Sequence, residues 1–182
     1  MLHGEGDVPT LPDAFAHWHE FYTLLGTASA TMVGLLFVAA TVGSDVFSAD
    51  RRGALRMFLS ASVVHFSGVL AVSLIVLVPL QSWLLVGAMI LGCGVFGLGY
   101  YAIAWRDTVR DGLSKSIDLE DRVWYAVLPV GGYLIETGAG VMLALRVELG
   151  CAVLAGAMGV LLVIGIHYAW DITVWSITRR RE

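Results

Sequence analysis

The sequence predicts an all-α integral membrane protein, a single bundle of five transmembrane helices over residues 1–182 with the N-terminus outside and the C-terminus inside. Three observations lead there. The chain is 58% apolar and only 14% charged, against about 45–50% and about 25% in soluble domains. Its mean hydropathy is +0.79. The charges leave long stretches empty. Residues 21–44 and 57–105 carry none, 123–145 carries only Glu136, and 149–178 carries only Asp171. Finally, ten of the eleven Lys and Arg residues fall on one side of the predicted spans. These features exclude a soluble globular domain, a disordered chain and a collagen-like fibre. A β-barrel is excluded because the apolar runs do not alternate.

A spanning helix needs roughly 20 mostly apolar residues. The 49-residue stretch from Met57 to Trp105 therefore holds two, turning at Pro79-Leu80-Gln81-Ser82. The spans are predicted at about 22–43, 57–79, 83–105, 123–145 and 150–174. Arg51, Arg52 and Arg56 lie in the first inner loop. Arg106, Arg110, Lys115 and Arg122 lie in the second, and Arg179, Arg180 and Arg181 end the chain. The outer side has only Arg146. Basic residues mark the cytoplasmic face, and five spans fit this parity where four or six would break it.

Residues 1–12 are predicted to be mobile. Residues 12–21 are predicted to form a short interfacial helix whose Phe15, Trp18, Phe21 and Tyr22 face the headgroups. No signal peptide or lipidation box is visible, and the first span is expected to act as its own anchor. That span carries two four-residue stripes, Gly26/Ala30/Gly34 and Thr23/Thr27/Thr31. Small residues permit close helix approach, and the hydroxyls of Thr27 and Thr31 are candidates for lining a pathway. The third span holds Gly87, Gly92, Gly94, Gly97 and Gly99, which predicts a central helix or an oligomer interface. Tyr100, Tyr101 and Trp105 read as an interfacial belt. The 106–122 loop is expected to form a short surface helix. Cys93 and Cys151 sit at different depths and read as small buried hydrophobes rather than a disulfide or metal pair.

Glu136 is the most informative residue. It lies 14 residues from Arg122 and 10 from Arg146, so about 21 Å and about 15 Å from the two ends. A carboxylate near the midplane costs several kcal/mol unless it is protonated, paired or facing water. The default reading is an ion or proton pathway, with a structural hydrogen bond to a neighbouring helix as the alternative. Pro129, Gly131, Gly132, Gly138 and Gly140 surround it, and broken helices of this kind hold ion sites in transporters.

His65, His167 and Asp171 form a second group in the inner third, with His167 and Asp171 on one helix face. They read as a proton relay, a metal site, an axial pair His65/His167 for haem, or separate hydrogen-bonded side chains. A third group, His17, His19 and Glu20 with Asp13 and His3 nearby, reads as a solvated face or as a transition-metal site, Asp13, His17 and Glu20 being expected to share one face. No cofactor is expected, and haem or a transition metal enters only under the haem and metal readings.

No Walker loop, GxGxxG, HExxH, GxSxG or potassium-filter sequence occurs, and no nucleophile–base pair is visible. An enzyme is not expected. The net charge of −4 gives no nucleic-acid footprint. The expected partners are the lipid bilayer and either further copies of the chain or other subunits of a membrane complex.

The segment from His17 to Val42, with Trp18-His19-Glu20-Phe21-Tyr22 running into Gly34-Leu35-Leu36-Phe37-Val38-Ala39, resembles the first transmembrane helix of a group of small, uncharacterised bacterial multi-pass membrane proteins. The resemblance implies the bacterial inner membrane and no particular activity. The leading expectation is a small oligomeric channel or proton-coupled transporter with Glu136 in its pathway. The alternatives are a non-catalytic subunit or regulator of a larger complex, and a haem- or metal-binding redox subunit.

Overall fold

The computed structural model describes residues 10–44, 49–110 and 123–178. Six α-helices run through them, with no strand among the described residues. They are α1 (Leu11–Ala16), α2 (His19–Ser44), α3 (Ala49–Leu77), α4 (Trp83–Arg110), α5 (Leu128–Ala144) and α6 (Leu149–Thr178). A π-helical turn, Val123–Val127, leads into α5. The segments His19–Thr41, Trp83–Ala104, Val123–Ala144 and Leu149–Asp171 are each long and apolar enough to cross a membrane, four candidate spans consistent with a membrane protein. In α3 the apolar stretch Ala61–Leu77 is shorter. The expectations for residues 1–9 and for the 111–122 part of the second inner loop lie outside the described residues, as does His3.

Short connections fix antiparallel neighbours. The predicted turn at Pro79–Ser82 joins α3 to α4. Ser82 caps α4, its hydroxyl oxygen accepting the Leu85 N–H at 3.3 Å. At the other tight turn, α5 ends in a Schellman motif. Val147 N–H reaches Met142 O and Arg146 N–H reaches Leu143 O, both at 2.9 Å. Arg146 occupies the left-handed position there, with φ 61°. A side chain costs about 1–2 kcal/mol in that conformation where glycine costs little. Arg146→Gly is therefore expected to stabilise the protein by about 1 kcal/mol, read as a raised Tm in detergent micelles.

The bundle is two hairpin-like pairs, α2 with α3 and α4 with α5, joined by α6, which packs on both α3 and α5. Lipid is as apolar as the side chains, so helix association in a membrane depends on close packing and polar contacts. Glycines supply the close packing. A Cβ on Gly87 would stand 2.4 Å from Ala144 N and 2.6 Å from Gly140 O, and one on Gly140 would stand 2.6 Å from Leu91 N. The backbones of α4 and α5 thus touch. Gly94 meets Thr137 in the same way, Gly97 meets the Tyr133 ring, and Gly132 meets Leu161 of α6. Gly92 and Gly99 face open space.

Two expectations are corrected here. The glycine-rich α4 is not the central helix. A third of its apolar window is buried, against half in α6, because α6 has neighbours on two sides. The aromatic start of the chain also does not form one interfacial helix. The capping of α1 by Thr10, which donates to Asp13 Oδ2 from both hydroxyl and backbone N–H, starts a helix that ends at Ala16. A turn at His17–Trp18 then breaks the run. Leu11 and Phe15 fold onto the bundle, and Tyr22 is fully buried, edge-on to Phe15 at 6.1 Å. Phe15 and Tyr22 therefore point inward rather than toward headgroups.

Candidate functional site

At the level where α3, α4, α5 and α6 converge, a buried polar cluster interrupts the apolar core. Its centre is His65 of α3, 1% exposed. Gly165 of α6 makes room for it. A Cβ at Gly165 would stand 3.3 Å from the His65 Cβ and closer still to the Phe66 ring. Both imidazole nitrogens are engaged. Nε2 lies 2.7 Å from the Tyr101 hydroxyl of α4, and Nδ1 lies 3.2 Å from the Tyr133 hydroxyl of α5. The Tyr133 ring stacks on the imidazole at 5.6 Å and 11°, held there because Gly97 leaves space for it. Tyr101 in turn contacts the Tyr168 hydroxyl of α6 at 3.3 Å, and Tyr168 donates to the backbone carbonyl of Trp124 at 3.0 Å.

Toward the end of the bundle away from α1, a second network continues the line. The Tyr125 ring stacks on Tyr168 at 4.7 Å. Its hydroxyl donates to Asp171 Oδ2 at 2.5 Å, and the same oxygen pairs with His167 Nε2 at 3.2 Å. His167 lies flat against Trp124 at 3.9 Å. His167 and Asp171 are about one-third exposed, so the polar line runs from the buried core to an accessible mouth. Buried hydroxyls are costly when unpaired, about 1–3 kcal/mol each. Joining them in one network removes that cost and ties four helices together.

Glu136 lies one helical turn beyond Tyr133 on α5 and is 1% exposed. Side chains on a helix lean toward its N-terminus, which tilts the Glu136 carboxyl toward the Tyr133 turn. Among the described residues none makes a hydrogen bond or ion pair with it. Such a carboxyl is satisfied by water or by carrying a proton.

The structure sorts the remaining candidates. His167 and Asp171 pair as the i, i+4 spacing predicts. His65 joins neither of them directly, since Tyr101, Tyr168 and Trp124 stand between. Haem ligation by His65 and His167 does not fit this geometry, because both His65 nitrogens are already bonded to tyrosine hydroxyls. Among the described residues, no three His, Cys, Asp or Glu side chains gather as metal ligands. His17, His19 and Glu20 are exposed, and the turn at His17–Trp18 prevents Asp13, His17 and Glu20 from sharing a helix face. Thr27 and Thr31 lie on the outward surface and donate to Thr23 O and Thr27 O of their own helix, each at 2.8 Å. They line no path within the chain. Both cysteines are free, Cys151 buried and Cys93 half-buried.

Sequence reasoning missed the tyrosines. Tyr101 belongs to the core rather than to an interfacial belt, because α4 turns it toward His65. Tyr133 sits three residues before Glu136, and Tyr168 follows His167. That clustering of hydroxyls near the ionisable residues of the apolar runs was the available signal. No protein family, curated protein or solved structure matches the chain. The functional reading therefore rests on the site alone.

Proposed function

We propose that this protein is a small proton-conducting or proton-coupled transport protein of the bacterial inner membrane, working as a homo-oligomer. In this reading α3 also crosses the membrane and brings the spans to five, the N-terminus is outside, and His167 and Asp171 open to the cytoplasm. Glu136 takes up the proton at midplane depth. The chain Tyr133, His65, Tyr101, Tyr168 carries it toward the inner mouth, where Tyr125, Asp171 and His167 receive it. The observation that supports the reading best is the unbroken run of hydrogen bonds from Tyr133 to the Trp124 carbonyl, lying between a buried carboxyl and an accessible His–Asp pair. Protons move along such runs by successive short hops, and a histidine between hydroxyls can both give and take one. The step from Glu136 to Tyr133 is assigned to bridging water.

The test is proton flux into proteoliposomes holding the purified wild-type protein under an imposed pH gradient. Flux well above that of empty vesicles is expected. Flux at the level of empty vesicles, with either gradient direction and with added cations, would favour the alternative of a non-catalytic subunit of a larger complex. Purification from the native membrane would then be expected to bring down a stoichiometric partner.

A further inference from the structure

We infer that the Tyr168 hydroxyl acts as a latch that closes the inner end of the buried wire and, through Tyr101, fixes His65 in a single tautomer. The inference deepens the transport reading and rests on it for its functional meaning, but its structural content stands on donor counting.

A phenol has one proton to give. Tyr168 lies 3.0 Å from the Trp124 carbonyl, which can only accept, so the Tyr168 proton is committed there. The 3.3 Å contact between Tyr101 and Tyr168 is then a hydrogen bond only if Tyr101 donates. With its own proton used, Tyr101 must accept from His65 across 2.7 Å, which places a proton on Nε2. In the neutral ring Nδ1 is then bare and accepts from the Tyr133 hydroxyl. Every bond in the run points the same way, from Tyr133 to Trp124.

The carbonyl at the end of this run is available for a reason written in the sequence. Within the π-helical turn Val123–Val127, the five-residue bonding step would give the Trp124 carbonyl the N–H of residue 129. Residue 129 is proline and has none. Tyr168 supplies a donor to that carbonyl in its place. A π-turn of this kind commonly marks a functional position.

A carbonyl cannot pass a proton on. A proton entering at Tyr133 can shift the run only if Tyr168 leaves Trp124 and gives its proton toward Tyr125 and Asp171, over the ring that stacks on it at 4.7 Å. Each hop then breaks one O–H or N–H bond and forms the next, leaving the His65 proton on Nδ1. Tyr168 is thus a positioning residue for His65 and the gate of the wire.

The test is solid-state ¹⁵N NMR of histidine-labelled protein in liposomes, with the His65 signals assigned by their loss in His65→Gln. Wild type is expected to show only the Nε2–H form. In Tyr168→Phe the two bond directions become equal in number, and the Nδ1–H form is expected to appear, although the substitution lies two hydrogen bonds away. Tyr125→Phe, outside the run, is expected to leave the wild-type tautomer. A dominant Nδ1–H form in wild type, or a purely Nε2–H ring in Tyr168→Phe, would overturn the latch. If Tyr168→Phe does not fold, the wild-type tautomer decides alone. Glu136-dependent flux with an unchanged tautomer would remove the latch and leave the transport reading. The expected tautomers without any flux would do the reverse.

Discussion

Glu136→Gln is expected to reduce proton flux in proteoliposomes to the level of empty vesicles, while the variant folds and purifies like wild type. Glutamine has nearly the shape of glutamate but cannot carry a proton between partners. Glu136 is 1% exposed, with no hydrogen bond or ion pair to any described residue. Replacing it with a neutral amide therefore removes no contact seen in the bundle and avoids placing a charge in low dielectric. A role as structural glue predicts the opposite pattern, because glutamine keeps hydrogen-bonding capacity and would preserve flux. The distinction is sharpened by Tyr133→Phe, which removes the first hydroxyl of the run and keeps the ring that stacks on His65. It is expected to lose flux as well, at a stability cost of about 1–3 kcal/mol for the abandoned Nδ1 partner. Full flux in a folded Glu136→Gln protein would end the assignment of Glu136 to the pathway.

Gly87→Ala is expected to destabilise the bundle by about 2–3 kcal/mol, the upper part of the range for overpacking. The new methyl would stand 2.4 Å from Ala144 N, 2.8 Å from Ala144 Cα and 2.6 Å from Gly140 O. These are backbone atoms of α5, and no rotamer change moves them. The helices must separate, and α5 carries Glu136, Tyr133 and the π-turn with it. Flux is expected to fall together with stability. Gly92→Ala is the control. Its methyl meets nothing within 4 Å, so stability is expected to change by less than about 1 kcal/mol. Thermal unfolding of both variants in the same detergent checks the difference. Equal losses in the two would mean that the α4–α5 contact is not where the bundle derives its stability.

Much of the architecture was legible from the chain. Long charge-free runs located the helices to within a few residues at most ends, and Pro79–Ser82 marked the turn between α3 and α4. The i, i+4 spacing of His167 and Asp171 anticipated their pairing. The break at His17–Trp18 was not legible, because the apolar and aromatic periodicity runs straight across it. What decides that break is the fit of Leu11, Phe15 and Tyr22 against the bundle. The same limit hid the tyrosines. A tyrosine near the end of an apolar run reads as an interfacial anchor, and only the rotation of α4 against α3 turns Tyr101 inward.

By itself, the sequence determined a helical protein apolar enough to cross a membrane, with one carboxyl in the middle of α5, since hydropathy and charge are properties of residues along the chain. The tertiary structure decided which of the ionisable groups are connected. Hydrogen bonds reach only about 3 Å, so function at this site depends on which faces four separate helices turn to one another. Those rotations are set by contacts between residues far apart in the chain, Gly97 with Tyr133 and Gly165 with His65 among them, and no local pattern encodes them.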